Sequence, residues 1–135
     1  MITTMLLIFA AFGVLVLILI ALLTHRVPRP INQQYFRDRW EALLSMVKSQ
    51  EGMALAVINA DKLLDQALKR RSYRGKTMGE RLVSAQRTLS DNDAAWFAHK
   101  LRNRLVHDDH PRLSTKDAQK ALAGFKQGLK DLGAL

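Results

Sequence analysis

DNDAAWFAHKLRNRLVH, residues 91–107, is the stretch from which the fold can be read. Asp91 is suited to accept a free backbone N–H and cap a helix. Behind it, Trp96, Phe97, Leu101 and Leu105 recur at three- and four-residue intervals, the spacing of one helical face. The stretch therefore predicts an amphipathic helix ending near His107, and Pro111 enforces a break beyond it. Its last part places Arg102, Asn103 and His107 within about two helical turns. Arginine stabilises phosphoryl charge, and histidine moves protons near neutral pH.

The helical period continues on both sides. A first helix of this region is expected over about residues 34–49, with Phe36, Trp40, Leu43, Leu44 and Val47 on one face, and Gly52 interrupts it. A second is expected over about residues 54–71, with Leu55, Val57, Ile58, Leu64, Ala67 and Leu68 as its apolar positions. Tyr73-Arg74-Gly75-Lys76 reads as a loop. Thr77-Met78-Gly79-Glu80 matches a capping box, in which Thr and Glu satisfy free backbone N–H groups reciprocally, and a short helix should follow to about Leu89. Ser114-Thr115-Lys116-Asp117 opens a last helix striped by Leu122, Phe125, Leu129 and Leu132, which Gly133 ends. No run alternates like a strand. The fold class is all-α, a four- or five-helix bundle behind an N-terminal membrane-length helix.

That N-terminal helix is expected from Met5–Leu23, MLLIFAAFGVLVLILIALL, which carries no charge. As a helix it covers roughly 28 Å, close to the hydrocarbon thickness of a bilayer. The alternative, a buried helix in a soluble core, fits poorly with apolarity on every face in a chain this small. A cleaved signal peptide would want a positive start and a small-residue cleavage site, and both are missing. Arg26, Arg29, Arg37 and Arg39 follow the run and no Lys or Arg precedes it. The positive-inside rule then puts the N-terminus outside and the rest in the cytoplasm. Gly13 alone gives no small-residue signal for pairing within the membrane. Residues 1–24 read as the transmembrane anchor, 25–33 as a spacer stiffened by Val27-Pro28-Arg29-Pro30, and 34–135 as the cytoplasmic domain.

The chain has 21 Lys/Arg against 12 Asp/Glu, a formal excess of +9. Every one of these charges lies beyond residue 24, so the excess belongs to the C-terminal part. Such a surface attracts phosphate-rich partners, nucleic acid or anionic lipid. Lys69, Arg70, Arg71, Arg74 and Lys76 concentrate it around the loop after the second helix, with Tyr73 among them to stack on a base. RNA, lipid and plain solvent all remain open as what this cluster faces. Cysteine is absent, which excludes disulfides and thiolate chemistry. His99, His107 and His110 fit no metal-ligand spacing, and nothing in the sequence asks for a metal or cofactor.

A helix ending in Arg-Asn-x-x-x-His, followed by a polar turn and one closing amphipathic helix, resembles the HEPN superfamily. Arg102, Asn103 and His107 carry the resemblance, which covers roughly residues 34–133. It implies a helical bundle that forms a homodimer, with two motifs facing one cleft. Many relatives are metal-independent ribonucleases, and others are non-catalytic binding or scaffolding modules. The implied function is membrane-tethered RNA binding and cleavage; the alternative is a membrane-anchored interaction or nucleotide/RNA-binding module.

The chemistry of the motif agrees with the first. His107 suits a general base or acid, Arg102 suits bidentate grip of phosphoryl oxygens, and Asn103 shares the face of His107. Arg102 and His107 are five residues apart, roughly 140° around a straight helix. They would converge across a dimer or through unwinding near His107. A purely structural role remains open, because cations at a helix C-terminus complement its dipole. Asp61, between the apolar positions Ile58 and Leu64, is a candidate buried carboxylate needing Arg102 or Arg81 as partner. The other reading is an exposed face on which Asp65 pairs with Lys69. Glu80 reads as a cap.

Overall fold

A computed structural model describes residues 1–24 and 28–135. Residues 25–27 of the expected spacer, with the Arg26 used for orientation, lie outside the described residues. Six helices follow one another: α1 (Ile2–Thr24), α2 (Gln33–Met46), α3 (Gln50–Arg70), α4 (Met78–Ala85), α5 (Asn92–His107) and α6 (Thr115–Asp131). Among the described residues there is no strand. α1 is long and apolar enough to cross a membrane, roughly 34 Å at the helical rise. Its apolar side chains are exposed, Leu7, Phe9 and Leu22 among them.

Each helix of the bundle starts at a short polar side chain that accepts a backbone N–H. Asn32 accepts from Tyr35, Ser49 from Gly52, Thr77 from Glu80, Asp91 from Ala94 and Ser114 from Asp117. The caps at Thr77, Asp91 and Ser114 are those expected. Glu80 closes its box one residue early, accepting from the Lys76 N–H at 2.6 Å. α4 stops at Ala85 rather than near Leu89, and the chain turns there.

The larger correction lies between α2 and α3. Ser49 is not the tail of the first helix but the cap of the next, and α3 begins at Gln50. Gly52 sits in its first turn instead of interrupting a helix. The chain reverses so tightly that a Cβ on Gly52 would lie 1.8 Å from the Met46 carbonyl oxygen. Leu44 and Leu55, read as core positions, are exposed at this reversal's flanks.

α3 is the central helix and packs against α2, α4, α5 and α6. Val57, Ala60, Leu64, Ala67 and Leu68 form its buried stripe. The most extensive helix pair is α5 with α6, and small residues explain it. Ala95 and Ala98 on α5, and Ala118, Ala121 and Gly124 on α6, are all buried. At the end of α6, Gly133 takes a left-handed φ of 71°. This lets the N–H groups of Gly133 and Ala134 bond back to Lys130 and Leu129, the usual closure of a helix C-terminus.

At Gly124 the backbones of α5 and α6 approach closely: a Cβ there would lie 2.6 Å from the Ala94 carbonyl oxygen. Backbone cannot yield as a side chain can. Gly124→Ala should therefore destabilise the bundle by about 1–3 kcal/mol despite its better helix propensity. Gly79→Ala, whose Cβ would meet the Trp96 ring at 3.5 Å and His99 Nε2 at 3.9 Å, both ordinary contact distances, should be neutral or mildly stabilising. Thermal unfolding of the full chain in detergent, read through Trp40 and Trp96, measures both; equal melting points for the two variants would contradict the close approach.

Candidate functional site

On the buried stripe of α3, one position is a carboxylate. Asp61 is 3% exposed, and an ionised group so placed needs partners. α5 supplies them three residues apart. His99 Nδ1 lies 2.7 Å from Asp61 Oδ1, and Arg102 Nε lies 3.4 Å from Asp61 Oδ2, an ion-pair distance. That Nε is buried and has no hydrogen bond, so the pair is held by charge. Of the two readings the sequence left open for Asp61, the structure shows the buried carboxylate, with Arg102 as partner and His99 as a second partner that sequence reasoning missed.

Asn103 closes the cluster. Arg102 Nη1 donates to Asn103 Oδ1 at 3.0 Å, and the Asn103 amide nitrogen lies 3.3 Å from His99 Nε2. With its oxygen turned to the arginine, Asn103 presents N–H to the imidazole. His99 Nε2 then accepts, and the proton sits on Nδ1, donated to Asp61. Every contact in this ring has one consistent assignment. Trp96 covers the imidazole edge-on, with ring centroids 6.0 Å apart. Gly79, near the start of α4, lies over the same ring, where its absent Cβ would be 3.9 Å from His99 Nε2.

His107 lies apart from this ring. It is the last residue of α5 and is exposed. The helix runs unbroken to it, and the Asp108 N–H still bonds to the Arg104 carbonyl at 2.9 Å. The expected alternative of unwinding near His107 is therefore not seen. The imidazole that Asn103 touches belongs to His99 and not to His107. Arg102 points toward α3, while His107 stands roughly 140° around the same helix. One bundle does not bring the two together.

The second acidic residue of α3 has a different set of partners. Asp65 binds Arg81 Nε at 2.6 Å and Lys69 Nζ at 2.7 Å, and Arg81 also donates to the Gly75 carbonyl at 2.6 Å. Arg81 is thereby taken from Asp61, and the Asp65–Lys69 pair is present as well. Burial alone would push the Asp65 carboxyl up, but the hydrogen bonds and charges of Arg81 and Lys69 outweigh it and hold it below 3.8. Asp131 is also held low. There too burial works upward, and hydrogen bonds from Ser90 and Gln127 prevail.

The basic cluster around residues 69–76 divides by role. Arg71 Nε donates to the Leu132 carbonyl at 2.8 Å, tying α3 to the end of α6. Tyr73 packs against the core and its hydroxyl meets Thr88 Oγ1 at 2.5 Å, so its ring is held rather than offered to a base. Lys69 and Arg70 end α3, and Arg74 and Lys76 lie exposed in the loop. Among the described residues, no three His, Asp or Glu side chains are grouped to hold a metal ion. No family model, curated protein or solved structure matches the chain.

Removing one partner of a buried ion pair strands the other. Asp61→Ala should therefore cost about 3–5 kcal/mol of stability, seen as a lower unfolding temperature. Asp65 gives a pH signature. Its folded pKa is depressed, so its contribution is full above 3.8 and is lost as pH falls through the lower folded value. Asp65→Asn should lower the unfolding temperature at neutral pH and flatten its fall below pH 3.8. Asp131 retains part of that slope. An unchanged acid profile in Asp65→Asn would refute the assignment.

Proposed function

We propose that the chain is a single-pass membrane protein whose bundle is a HEPN-like RNA-binding domain. α1 lies in the bilayer with its N-terminus outside, and the bundle faces the cytoplasm. The domain cleaves RNA without metal, in a site shared by two copies. One observation carries this reading. Arg102 is fixed by Asp61 and Asn103, yet its side chain is 24% exposed, and its Nη2 has no partner among the described residues. A guanidinium oriented in advance with one edge open suits a phosphodiester.

His107, exposed on the same helix, supplies the proton chemistry. As a base it removes the proton of a ribose 2′-OH, and the oxygen attacks the adjacent phosphorus. The bond to O5′ breaks, and O5′ takes a proton from a water molecule, whose hydroxide is neutralised by the imidazolium proton. The products are a 2′,3′-cyclic phosphate and a 5′-hydroxyl. Arg102 offsets the charge that grows on the phosphoryl oxygens. Because an unbroken α5 separates Arg102 from His107, the arginine of one copy serves the histidine of the other. The homodimer is an expectation of the family resemblance, and this geometry favours it.

The Asp61–Arg102 ion pair favours a second reading, a membrane-anchored binding module without catalysis. There Arg102 serves mainly to join α3 to α5.

The test is RNA cleavage by the full chain in detergent, with a metal chelator present, beside His107→Ala and Arg102→Ala. His107 is exposed, so His107→Ala should keep its unfolding temperature and lose about 10²–10⁴-fold in rate. Arg102→Ala should lose both activity and stability. Mixing the two inactive variants should restore activity, because each mixed dimer then holds one intact Arg102–His107 pair. An inert wild-type chain that still binds RNA through Arg102 would put the binding module first.

A further inference from the structure

The clearest feature outside the Asp61 cluster is a cleft of about 810 Å³ at the junction between the bundle and the segment leading from α1. Arg29, Asn32 and Tyr35 line one side, and Gln66, Lys69 and Arg70 the other. The Arg29 N–H donates to the Arg70 carbonyl at 2.8 Å, and this bond closes one end. The two side-chain amide oxygens in the wall are spent internally. Asn32 Oδ1 accepts the Tyr35 N–H, and Gln66 Oε1 accepts the Tyr35 hydroxyl at 3.3 Å. The donors are left over. Arg29 and Arg70 form no ion pair among the described residues, and the amide N–H groups of Asn32 and Gln66 are likewise unspent. Arg39 adds a further cation, stacked on the Tyr35 ring at 5.3 Å. Among the described residues no carboxylate lines the cleft. A cavity walled by free amide donors and arginines, with its amide oxygens consumed, is suited to an anion, and two arginines favour a phosphate.

We infer that this cleft binds the phosphate of an anionic lipid headgroup. The inference rests on α1 lying in a bilayer. Arg29 is five residues beyond Thr24, the last residue of α1, so the chain keeps it within roughly 18 Å of the helix end. That distance reaches the headgroup layer of the leaflet where α1 emerges, which is rich in anionic lipid on the cytoplasmic side. The anchor therefore presents this cleft to lipid phosphate continuously, whereas a soluble phosphate must arrive by diffusion. The cluster read from sequence as facing RNA or lipid thus gains one defined lipid contact, through Arg70 together with Arg29, while Lys69 stays paired with Asp65.

The test reconstitutes the full chain in phosphatidylcholine vesicles with and without phosphatidic acid. Flotation is scored first, then hydrogen exchange at the Arg29 amide and at residues 66–72. Phosphatidic acid should slow exchange there several-fold in the wild type. The double variant Arg29→Gln/Arg70→Gln should show no such slowing. Arg87→Gln/Lys116→Gln, which removes two exposed charges elsewhere, should behave as wild type. Equal exchange in both vesicle types overturns the inference, and so does equal loss in the two double variants, which would mean diffuse attraction only. Slowing by inorganic phosphate in phosphatidylcholine vesicles would reassign the cleft to a free phosphate, and slowing by an RNA oligonucleotide would reassign it to RNA. A chain that does not float with vesicles removes the anchor and the lipid site together, an outcome distinct from a floating chain whose exchange ignores phosphatidic acid.

Discussion

The bundle depends on how it accommodates one buried charge. Asp61 interrupts the apolar stripe of the central helix, and a carboxylate there costs several kcal/mol unless it is paired. α5 meets this need with His99 and Arg102, one turn apart, and Asn103 joins the two. Apolar packing alone would tolerate a sliding contact between α3 and α5. The carboxylate allows one register, because only that register brings both His99 and Arg102 to its two oxygens. α4 follows from the same constraint, since Gly79 leaves room for Trp96 and His99 beneath its first turn.

This arrangement also explains which parts of the structure were legible in the sequence. α5 and α6 were, because their start signals are local: Asp91 and Ser114 cap the helices they precede, and the apolar period behind each is regular. The α2–α3 boundary was not. Ser49 and Gly52 look like a tail and a break, and only the fold reveals that the Met46 carbonyl fills the space a side chain at Gly52 would need. Leu44 and Leu55 have core spacing yet stand outside, since helical period says which residues share a face and not whether that face is covered. In the site, Asp61 was legible as a polar residue among apolar ones. His99 carried the same signal, lying between buried Ala95 and Ala98 on one side and Leu101 on the other. Its partner is 38 residues away, so no local spacing connects the two.

The formal excess of +9 is not one uniform surface. Several cations act as parts of the fold. Arg81 closes the loop before α4, Arg71 holds the C-terminus, and Lys120 lies 4.2 Å from the Phe97 ring centre. Other cations remain uncommitted, and Arg29 and Arg70 face a cleft beside the segment that leads from α1. Reading the basic cluster as a single patch therefore overstates it in one place and understates it in another. Arg71 and Tyr73 belong to the core's margin, while Arg29, far away in sequence, belongs with Arg70.

On the proposed reading, the two histidines of α5 explain why a membrane anchor and a dimeric site belong together. His99 is consumed in supporting Asp61 and Arg102, so His107 is the imidazole left for solvent-side chemistry. An unbroken helix holds it away from Arg102, and a working pair then needs a second copy. In solution that requirement asks for a large apolar interface, yet few large apolar side chains on the bundle are exposed, Leu44, Leu55, Val83 and Val106 among them. In a bilayer the requirement is smaller. Copies confined to one leaflet share a common height and a restricted orientation, and tethering raises their effective concentration without any new contact. A weak interface is then enough, and pairing becomes sensitive to how many copies occupy a given area of membrane. The anchor would set the activity of the site through surface density, with no further device in the bundle itself.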